Sequence, residues 1–231
     1  MIKIVIKGAS GKMGSRISAL AERDPVFRIV PTIEEADVMI DFSHPDATVP
    51  NLQTVKAAKK AAVVGTTGHS PKQREEIEKM GRQIPLVFSP NTSVGVNLFW
   101  KLLEQSAHLL GAEFQVKVRE AHHIHKKDAP SGTALQIAKI LAAVRQTTPD
   151  KIPIESIREG EVVGDHTVIF ETAGDILELT HRAKSRDTFA LGALRATQWI
   201  TGKPNGLYSM ADVLGMNNPA ARPRGFLAES P

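Results

Sequence analysis

The sequence predicts an α/β protein in which a doubly wound, Rossmann-like parallel sheet is followed by an α+β domain. Short apolar runs alternate with helical segments through residues 1–91, a pattern typical of parallel strands joined by helices. From residue 93 onward, segments that alternate apolar and polar residues with a period of two indicate strands with one exposed face. We therefore expect two domains, at residues 1–94 and 95–202.

The first domain is predicted to begin with a strand at residues 2–7 and a glycine turn at Gly8, with a helix beyond it. A later helix has a strong start signal, because Ser70, Pro71 and Gln73 supply an N-cap, a proline at the first helical position and a capping-box side chain. Further apolar runs predict the remaining strands, at residues 27–33, 36–43, 61–68 and 85–91.

The second domain is predicted to open with a long apolar helix from Ser93 to Leu110. Gly174 and Asp175 form a tight connection between two strands. The predicted strands cover residues 114–120, 166–174 and 175–183, and the predicted helices cover residues 134–144, 187–200 and, briefly, 209–215.

Composition limits the classes of protein to which this chain can belong. Its 231 residues are 42% hydrophobic and 23% charged, which is ordinary for a globular protein and excludes a disordered or fibrous one. No apolar run approaches the ~18 to 20 residues of a membrane span, and the N-terminus leads into a glycine loop rather than a signal-peptide cleavage site. We therefore expect a cytoplasmic protein without a membrane partner. The absence of cysteine excludes disulfides, zinc thiolates and cysteine nucleophiles.

The distribution of charge argues against a nucleic-acid partner. The formal net charge of +4 divides into +3 for residues 1–94, 0 for residues 95–202 and +1 for residues 203–231. Nucleic-acid binding usually needs a concentrated basic surface, often with stacking aromatic side chains, and aromatic residues are only 5% of this chain. We therefore expect no nucleic-acid partner.

Gly8, Gly11 and Gly14 form a GxxGxxG spacing between the first strand and the first helix. Glycines at such a turn let the backbone approach a pyrophosphate at the helix N-terminus, although the same glycines also suit a purely structural turn. Gly65, Thr66 and Thr67 follow a predicted strand and form either a plain polar loop or part of a ligand site, because ligands bind at the carboxyl ends of parallel strands.

Three of the eight histidines, His122, His123 and His125, lie just past a predicted strand, with Lys126 four residues after the first of them. Three interpretations are open. A metal site would need a further ligand at a defined spacing, and the chain has neither an HExxH motif nor a cysteine. A solvated polar loop is the second interpretation. The third is an acid–base and anion-binding loop, because histidine titrates near neutrality and lysine can donate a proton.

The residues after this loop favour the third interpretation. Ser131, Gly132 and Thr133 precede an apolar-faced helix, so that the N–H groups of Gly132 and Thr133 lie at a helix N-terminus, where an anion binds. Ser131 lacks the GxSxG surroundings of a hydrolase nucleophile, and serine is a common helix cap.

A series of motifs in this chain resembles, in order, the 4-hydroxy-tetrahydrodipicolinate reductase family of lysine and diaminopimelate biosynthesis. The resemblance covers nearly the whole chain to about Met216, and its most specific part lies at residues 122–134. The motifs are GASGKMG, DFSHP, GTTG, SPNTSVGVN, EAHHIHKKDAPSGTA, GDHTVIF, THRAKSRDTFALGALRA and GLYSMADVLG.

The resemblance implies a Rossmann-like domain that binds NADH or NADPH, completed by residues 203–231, and an α+β domain that binds a dicarboxylate substrate and builds a homotetramer. It makes His122 the general acid or base and Lys126 a proton donor. The implied substrate contacts are His123, Gly132 and Thr133. The implied cofactor contacts are Gly8, Ala9, Ser10, Gly11, Lys12, Met13, Gly65, Thr66, Thr67, Ser89, Pro90, Asn91 and Thr92. No metal ligand is implied.

The implied reaction is the NAD(P)H-dependent reduction of 4-hydroxy-tetrahydrodipicolinate to tetrahydrodipicolinate with loss of water. Two alternatives stay open: a nucleotide-sensing binding protein without turnover, and another two-domain NAD(P)-dependent dehydrogenase that acts on amino or keto acids.

The predicted second strand, at residues 27–33, bears on the choice of cofactor. In dinucleotide-binding folds an acidic residue about 20 residues beyond the glycine loop binds the ribose 2′-hydroxyl and repels a 2′-phosphate. Here the strand ends near Thr32 without an acidic residue, although Glu34 and Glu35 follow at once. We therefore expect both NADH and NADPH to be used.

Overall fold

The computed structural model describes residues 1–217. Residues 218–231, which belong to the segment expected to complete the first domain, lie outside the described residues. The described chain divides into two compact units: Met1–Pro90 together with the chain from Ala193 onward, and Asn91–Gly192. The sequence placed the boundaries after residues 94 and 202, whereas the second junction lies inside a helix.

The first unit contains a six-stranded sheet in the order β10-β5-β4-β3-β1-β2, and all neighbouring strands are parallel. Its strands are β1 (Ile2–Lys7), β2 (Phe27–Ile29), β3 (Val38–Asp41), β4 (Ala61–Val64), β5 (Pro85–Phe88) and β10 (Gly206–Tyr208). Its helices are α1 (Lys12–Ala21), α2 (Pro45–Ala57), α3 (Pro71–Gly81), α7 (Met210–Val213) and the later part of α6 (Asp187–Ile200). The predicted parallel α/β sheet is confirmed.

The order of the strands fixes where a ligand can bind. The chain runs from β1 outward to β2, and then returns to the other side of β1 to form β3. In open parallel sheets, ligands bind outside the carboxyl ends of the strands at such a switch point. The carboxyl ends of β1 and β3, which are followed by Gly8 and Phe42, therefore form the expected binding edge of this unit.

The second strand is shorter than predicted, because β2 ends at Ile29 rather than near Ile33. Ile29 and Val38 both lie level with Ile4 of β1, on its two sides. The connection between β2 and β3 therefore has to leave the sheet at this level and cross β1. Its apolar residues pack into the core against Val5 as it crosses: Val30, Ile33 and Ala36.

The two faces of this sheet are buried against different helices. One face packs on α2 and α3 through Met39, Leu52 and Ile77. The opposite face packs on the end of α6 and on α7, with Val63 and Ile200 in the core. Burial of both faces explains why the strands appear in the sequence as continuous apolar runs rather than alternating ones.

The second unit contains a four-stranded mixed sheet in the order β7-β6-β8-β9, in which only β6 and β7 are parallel. Its strands are β6 (Gln115–His122), β7 (Ile154–Arg158), β8 (Asp165–Glu171) and β9 (Ile176–Arg182). Its helices are α4 (Val94–Leu110), α5 (Gly132–Val144), the first part of α6 and a short 3₁₀ helix (Pro149–Lys151). Phe99 and Leu103 of α4 and Ile137 and Leu141 of α5 cover one face of the sheet.

Two strands, β7 and β10, were not predicted from the sequence. β10 has three residues, which is too short for a pattern, and its place is fixed by pairing with β5 of the first unit. β7 follows a loop and has a polar sequence, IESIR, without clear alternation. Within residues 1–217, no helix has both the length and the apolar character needed to cross a bilayer.

Candidate active site

The predicted phosphate-binding turn joins β1 to α1. Gly8 has a φ of +80°, and an added Cβ there would lie 2.4 Å from the carbonyl oxygen of Phe42. A Cβ at Gly14 would lie 2.0 Å from the oxygen of Gly8, so these two glycines allow close packing of the turn. Gly11 is the N-cap of α1 and provides no side-chain cap, and residues 9–12 are exposed. The uncapped, exposed helix start therefore fits a dinucleotide phosphate.

Asp41, the last residue of β3, is a buried carboxylate that holds two loops at the binding edge. Its Oδ1 accepts hydrogen bonds from the backbone N–H of Ser43 (2.9 Å), from Ser43 Oγ (2.6 Å) and from Thr66 Oγ1 (3.0 Å). Its Oδ2 accepts from Asn51 Nδ2 at 3.2 Å. Sequence reasoning missed this residue, although an aspartate in an otherwise apolar strand is itself a signal.

The predicted cofactor loop at residues 65–67 is fixed from behind. A Cβ at Gly65 would lie 2.1 Å from Cζ of Phe42, so glycine is needed for the aromatic ring to pack there. The hydroxyl of Thr66 is buried and bonded to Asp41, which leaves only backbone atoms of Thr66 for a ligand. Thr67 has an exposed side chain.

The predicted cofactor residues 89–92 span the junction between the units. Ser89 and Pro90 end the stretch 1–90, and Asn91 and Thr92 open the second unit. The hydroxyl of Thr92 donates a hydrogen bond to the carbonyl oxygen of Phe189 at 2.7 Å, within that unit. Thr92 is buried, so its side chain serves the packing of the second unit rather than a ligand.

In the second unit, the predicted acid–base residue His122 ends β6. Glu120 lies two residues earlier, on the same face of the strand, and is completely buried. Glu120 Oε2 is hydrogen-bonded to Nδ1 of His122. Glu120 Oε1 forms an ion pair of 2.9 Å with Nη1 of Arg158, which β7 places beside His122 in the strand register.

His166 connects this pair to the start of α5. It lies directly opposite Glu120 in the register of β6 and β8. Its ring meets the ring of His122 edge-on, with centroids 5.1 Å apart. Nε2 of His166 is 3.1 Å from Oγ of Ser131, the residue that caps α5 by accepting the N–H of Ala134.

Gly132 and Thr133 are the first two residues of α5. The first N–H groups of a helix have no acceptor within the helix. Ser131 accepts the N–H of Ala134, and the N–H groups of Gly132 and Thr133 are available to an anion. Gly132 is exposed, and a Cβ built on it would meet no atom of residues 1–217 within 4 Å beyond its chain neighbours and its own helix backbone. The helix start thus has room for a carboxylate.

Lys126 and His123 lie in the loop between β6 and α5. Nζ of Lys126 forms an ion pair of 2.9 Å with Asp128, and the side chain of Lys126 is 23% exposed. The backbone of His123 donates to the carbonyl oxygen of Val162 at 2.7 Å and accepts from the N–H of Lys126 at 3.1 Å. Nη2 of Arg158 donates to the carbonyl oxygen of Asp128 at 2.5 Å. The loop is therefore anchored at its start, at His123, and again at Asp128.

Burial and charge together set the protonation of this cluster. Burial lowers the pKa of His122, an effect that the carboxylate of Glu120 opposes and that the charges of Lys126 and Arg158 increase. Burial lowers the pKa of His166 to about 3. For Glu120, burial raises the pKa, but the neighbouring Ser156 and the charges of Arg158 and His122 outweigh it, and the pKa is lowered. Near pH 7 the cluster therefore contains an ionised Glu120 and two neutral imidazoles.

One group of side chains in the described residues could hold a metal ion: Glu120, His122 and His166, with ligand atoms within 4.8 Å of one another. A cation there would have to displace the proton between Glu120 and His122 and would lie near the guanidinium of Arg158. Oε2 of Glu120, Nδ1 of His122 and Nε2 of His166 already have hydrogen-bonded partners, and the group is better described as a hydrogen-bonded network than as a metal site.

The structure thus gathers the predicted residues into two places. The predicted phosphate turn and the loop at residues 65–67 lie at the carboxyl edge of the first sheet, and the predicted acid–base and anion-binding residues lie around the end of β6 and the start of α5. Sequence reasoning missed Asp41, Glu120, Arg158 and His166. Glu120 had a signal, because residues two apart on a strand share a face.

Two family models match the chain. The model described as dihydrodipicolinate reductase, N-terminus, matches residues 28–92. The model described as dihydrodipicolinate reductase, C-terminus, matches residues 95–214. Together they cover most of the chain, and the glycine turn lies before the first match.

Curated relatives are similar over nearly their whole length. The 4-hydroxy-tetrahydrodipicolinate reductase of Akkermansia muciniphila is 43% identical over 245 residues, which cover 94% of this chain and 99% of the relative. The enzyme of the same name from Syntrophotalea carbinolica is 36% identical over 266 residues, which cover 94% of this chain and 100% of the relative.

Solved structures share the fold at lower sequence identity. A dipicolinate-bound dihydrodipicolinate reductase from Paenisporosarcina sp. TG-14 matches with a TM-score of 0.78 and 22% identity, over 92% of this chain and 98% of its own. The DAP dehydrogenase of C. glutamicum in complex with DAP matches with a TM-score of 0.54 and 13% identity, over 90% of this chain and 92% of its own.

Proposed function

This chain belongs to the dihydrodipicolinate reductase family, and we propose on that premise that it reduces 4-hydroxy-tetrahydrodipicolinate to tetrahydrodipicolinate with NADH or NADPH. In this reaction the substrate gains a hydride and a proton and loses one molecule of water. This reaction is a step in the biosynthesis of lysine and diaminopimelate.

One observation carries the proposal: a buried carboxylate–histidine pair lies beside an open helix start. The pair Glu120–His122 can hold and release a proton, and the start of α5 can bind a carboxylate. His166 and Ser131 connect the two by direct contacts. A dicarboxylate whose reduction requires a proton needs both features at one site.

The proposed proton chemistry belongs to His122 and Lys126. Nδ1 of His122 is bonded to Glu120, so Nε2 is the atom that exchanges a proton with the substrate or with water. The ammonium group of Lys126 is held by Asp128 and can donate a proton or neutralise a substrate carboxylate.

The proposed substrate seat is formed by His123, Gly132 and Thr133. The helix N-terminus and the hydroxyl of Thr133 favour a carboxylate through fixed dipoles, and Lys126 adds a positive charge. Holding the substrate in a fixed orientation lowers the entropic part of the barrier.

The proposed cofactor site uses the turn from Gly8 to Met13 for the phosphates and the loop at residues 65–67 for the remainder. Residues 89–92 are also assigned to this cofactor site. Thr66 and Thr92 contribute backbone atoms to it, because their hydroxyls form hydrogen bonds within the protein. When bound, NADH or NADPH supplies the hydride. The network of Asp41 keeps the loops after β3 and β4 in place.

We further infer a homotetramer built by the second unit, acting in the cytoplasm. The edge strand β9 supports assembly, because Ile176 and Leu177 expose 58% and 37% of their surface. Light scattering on the purified chain tests this inference: a mass of four chains supports it, and a monomer at micromolar concentration contradicts it.

The product tests the proposed activity. Freshly prepared 4-hydroxy-tetrahydrodipicolinate and NADPH are incubated with the protein, and the product is identified by mass spectrometry. We expect a compound lighter than the substrate by one oxygen atom, because two hydrogens are gained and one water is lost. Cofactor binding without this product would instead favour a nucleotide-sensing protein.

A further inference from the structure

We propose that Glu120 is a positioning residue that fixes His122 in the tautomer protonated on Nδ1, so that Nε2 is presented to the substrate. This inference rests on the proposed function for its catalytic consequence. The tautomer itself is a property of the free protein and can be measured without turnover.

The contacts of Glu120 define the tautomer. An ionised carboxylate can only accept hydrogen bonds, so Nδ1 of His122, which is bonded to Glu120 Oε2, has to carry the proton. The neutral ring then has a free lone pair on Nε2. Without this partner, either nitrogen of the ring could be protonated.

The carboxylate is itself held in place. Glu120 is completely buried, and its other oxygen forms an ion pair with Arg158 at 2.9 Å. In the strand register, Glu120 is flanked by Ser156 on β7 and by His166 on β8. A charge that is buried without partners would cost several kcal/mol, so Arg158 and Ser156 make an ionised Glu120 possible here.

The space around Nε2 agrees with this assignment. A Cβ added at Gly164 would lie 3.0 Å from Nε2 of His122. Glycine therefore keeps the reactive nitrogen clear on that side. The edge-on ring of His166 fixes the orientation of the His122 ring from the other strand.

The charged and titratable groups that face His122 predict how the pKa of His122 changes when Glu120 is replaced. They are Glu120 on the same strand, Lys126 in the following loop, Arg158 on β7 and His166 on β8. Of the three that carry charge, only Glu120 favours the protonated ring, while Lys126 and Arg158 oppose it. Removing the charge of Glu120 should therefore lower the pKa of His122 further below its usual value.

The test combines two measurements on Glu120→Gln and Glu120→Ala. Nitrogen-15 NMR of the free protein reports the tautomer and titration of His122, with His122→Ala to assign its signals. The pH dependence of kcat reports the catalytic effect. Glu155→Gln is the matched control, because Glu155 forms an exposed carboxylate–arginine pair with Arg119 across the same two strands.

We expect wild-type His122 to be protonated on Nδ1 when neutral, and Glu120→Ala to show a mixture of tautomers with kcat reduced about 10- to 100-fold. Glu120→Gln keeps one acceptor oxygen between two donors, Nδ1 of His122 and Nη1 of Arg158. Its amide group should therefore turn His122 towards the tautomer protonated on Nε2, with kcat also reduced and the His122 limb of the pH profile moved to lower pH. Glu155→Gln should behave as the wild type. Circular dichroism identifies any variant that does not fold.

A wild-type ring protonated on Nε2 overturns the proposal, and so does a Glu120→Gln variant whose pH profile is unmoved. Should Glu120→Ala fail to fold, the wild-type tautomer and the Glu120→Gln profile decide the question. Failure of the proposed function has a different signature: no substrate-dependent oxidation in any variant, with the tautomer of His122 still measurable.

Discussion

Asp41, at the end of β3, and Thr66, just past the end of β4, are joined by a hydrogen bond of 3.0 Å between carboxylate and hydroxyl. This bond couples the two loops that flank the binding edge of the first sheet. Both side chains are buried, so neither is placed to contact a ligand directly. Their effect on the cofactor has to pass through the backbone of the loops.

Asp41→Asn should weaken cofactor binding and leave the substrate site unaffected. Both carboxylate oxygens of Asp41 accept hydrogen bonds, and in asparagine one of them becomes an NH2 group that faces donors. This change should lower the free energy of unfolding by about 2 kcal/mol. Calorimetric titration with NADH measures cofactor binding, and calorimetric titration with pyridine-2,6-dicarboxylate measures binding at the substrate site. Asp37→Asn is the control, because Asp37 is exposed and accepts a hydrogen bond from the N–H of Lys3. Unchanged NADH affinity in Asp41→Asn would contradict this role.

His122→Ala and Lys126→Ala should lower kcat while the affinity for NADH stays near the wild-type value. Both residues belong to the second unit, whereas the glycine turn belongs to the first. Loss of a positioned acid or base usually costs about 10²- to 10⁴-fold in rate. Steady-state kinetics and a cofactor titration measure the two quantities. If both variants kept half or more of the wild-type kcat, the assignment of these residues would be wrong.

Pyridine-2,6-dicarboxylate, a planar analogue of the product, should inhibit competitively against the substrate. Thr133→Val removes a hydroxyl at the start of α5, and a hydrogen bond to a charged group is worth about 1.5 to 3 kcal/mol, so Ki should rise roughly tenfold or more. Thr147→Val, just beyond the other end of the same helix, should leave Ki unchanged. Equal inhibition of Thr133→Val and the wild type would place the carboxylate seat elsewhere.

The pH dependence of stability should report the buried His166. Its pKa in the folded state is about 3, whereas an unfolded histidine titrates near its ordinary value of 6.5. Below pH 6.5 the unfolded chain therefore binds a proton that folded His166 does not, so the free energy of unfolding falls as the pH drops from 6.5 towards 3. The slope from this group approaches about 1.4 kcal/mol per pH unit.

His166→Gln cannot titrate, so its Tm should fall less steeply between pH 6.5 and pH 5 than that of the wild type. The slope becomes shallower rather than flat, because burial also lowers the pKa of His69, His122 and His181. His108→Gln, on the exposed side of α4, should keep the wild-type slope. Parallel curves for His166→Gln and the wild type would contradict the neutral state of His166.

Local signals explain why most of the fold was predictable. The capping box at Ser70 and Gln73 is present as predicted, with both hydrogen bonds formed. The helix start at Ser131 and the strand that ends at His122 also depend on neighbouring residues. Such elements are determined within a few residues of sequence, and their existence was correctly predicted.

Features that depend on distant pairing were not predictable. Arg158 and His166 reach the site only because β7 and β8 flank β6 in a particular register, which no local pattern encodes. The early end of β2 also depends on a long-range constraint, since the chain has to cross β1 near Ile4. The burial that changes the pKa of His166 is likewise a property of the assembled sheet.

The end of β2 bears on the choice of cofactor. No acidic residue ends the strand at Ile29, but the hydroxyl of Thr32 donates to Glu35 at 3.3 Å in the crossing loop. We expect kcat/KM for NADH and NADPH to agree within about tenfold, a difference below about 1.4 kcal/mol. Glu35→Gln should change the ratio little. A preference for NADH above about a hundredfold would show that a carboxylate already occupies the ribose site.

The most direct test of the proposed reductase is the rate of NADH and NADPH oxidation with 4-hydroxy-tetrahydrodipicolinate generated in place by its synthase. We predict oxidation that requires the substrate, saturates with it and falls by about 10²-fold or more in His122→Ala. Oxidation that is absent with this substrate, or that occurs only with amino or keto acids, would contradict the proposed function.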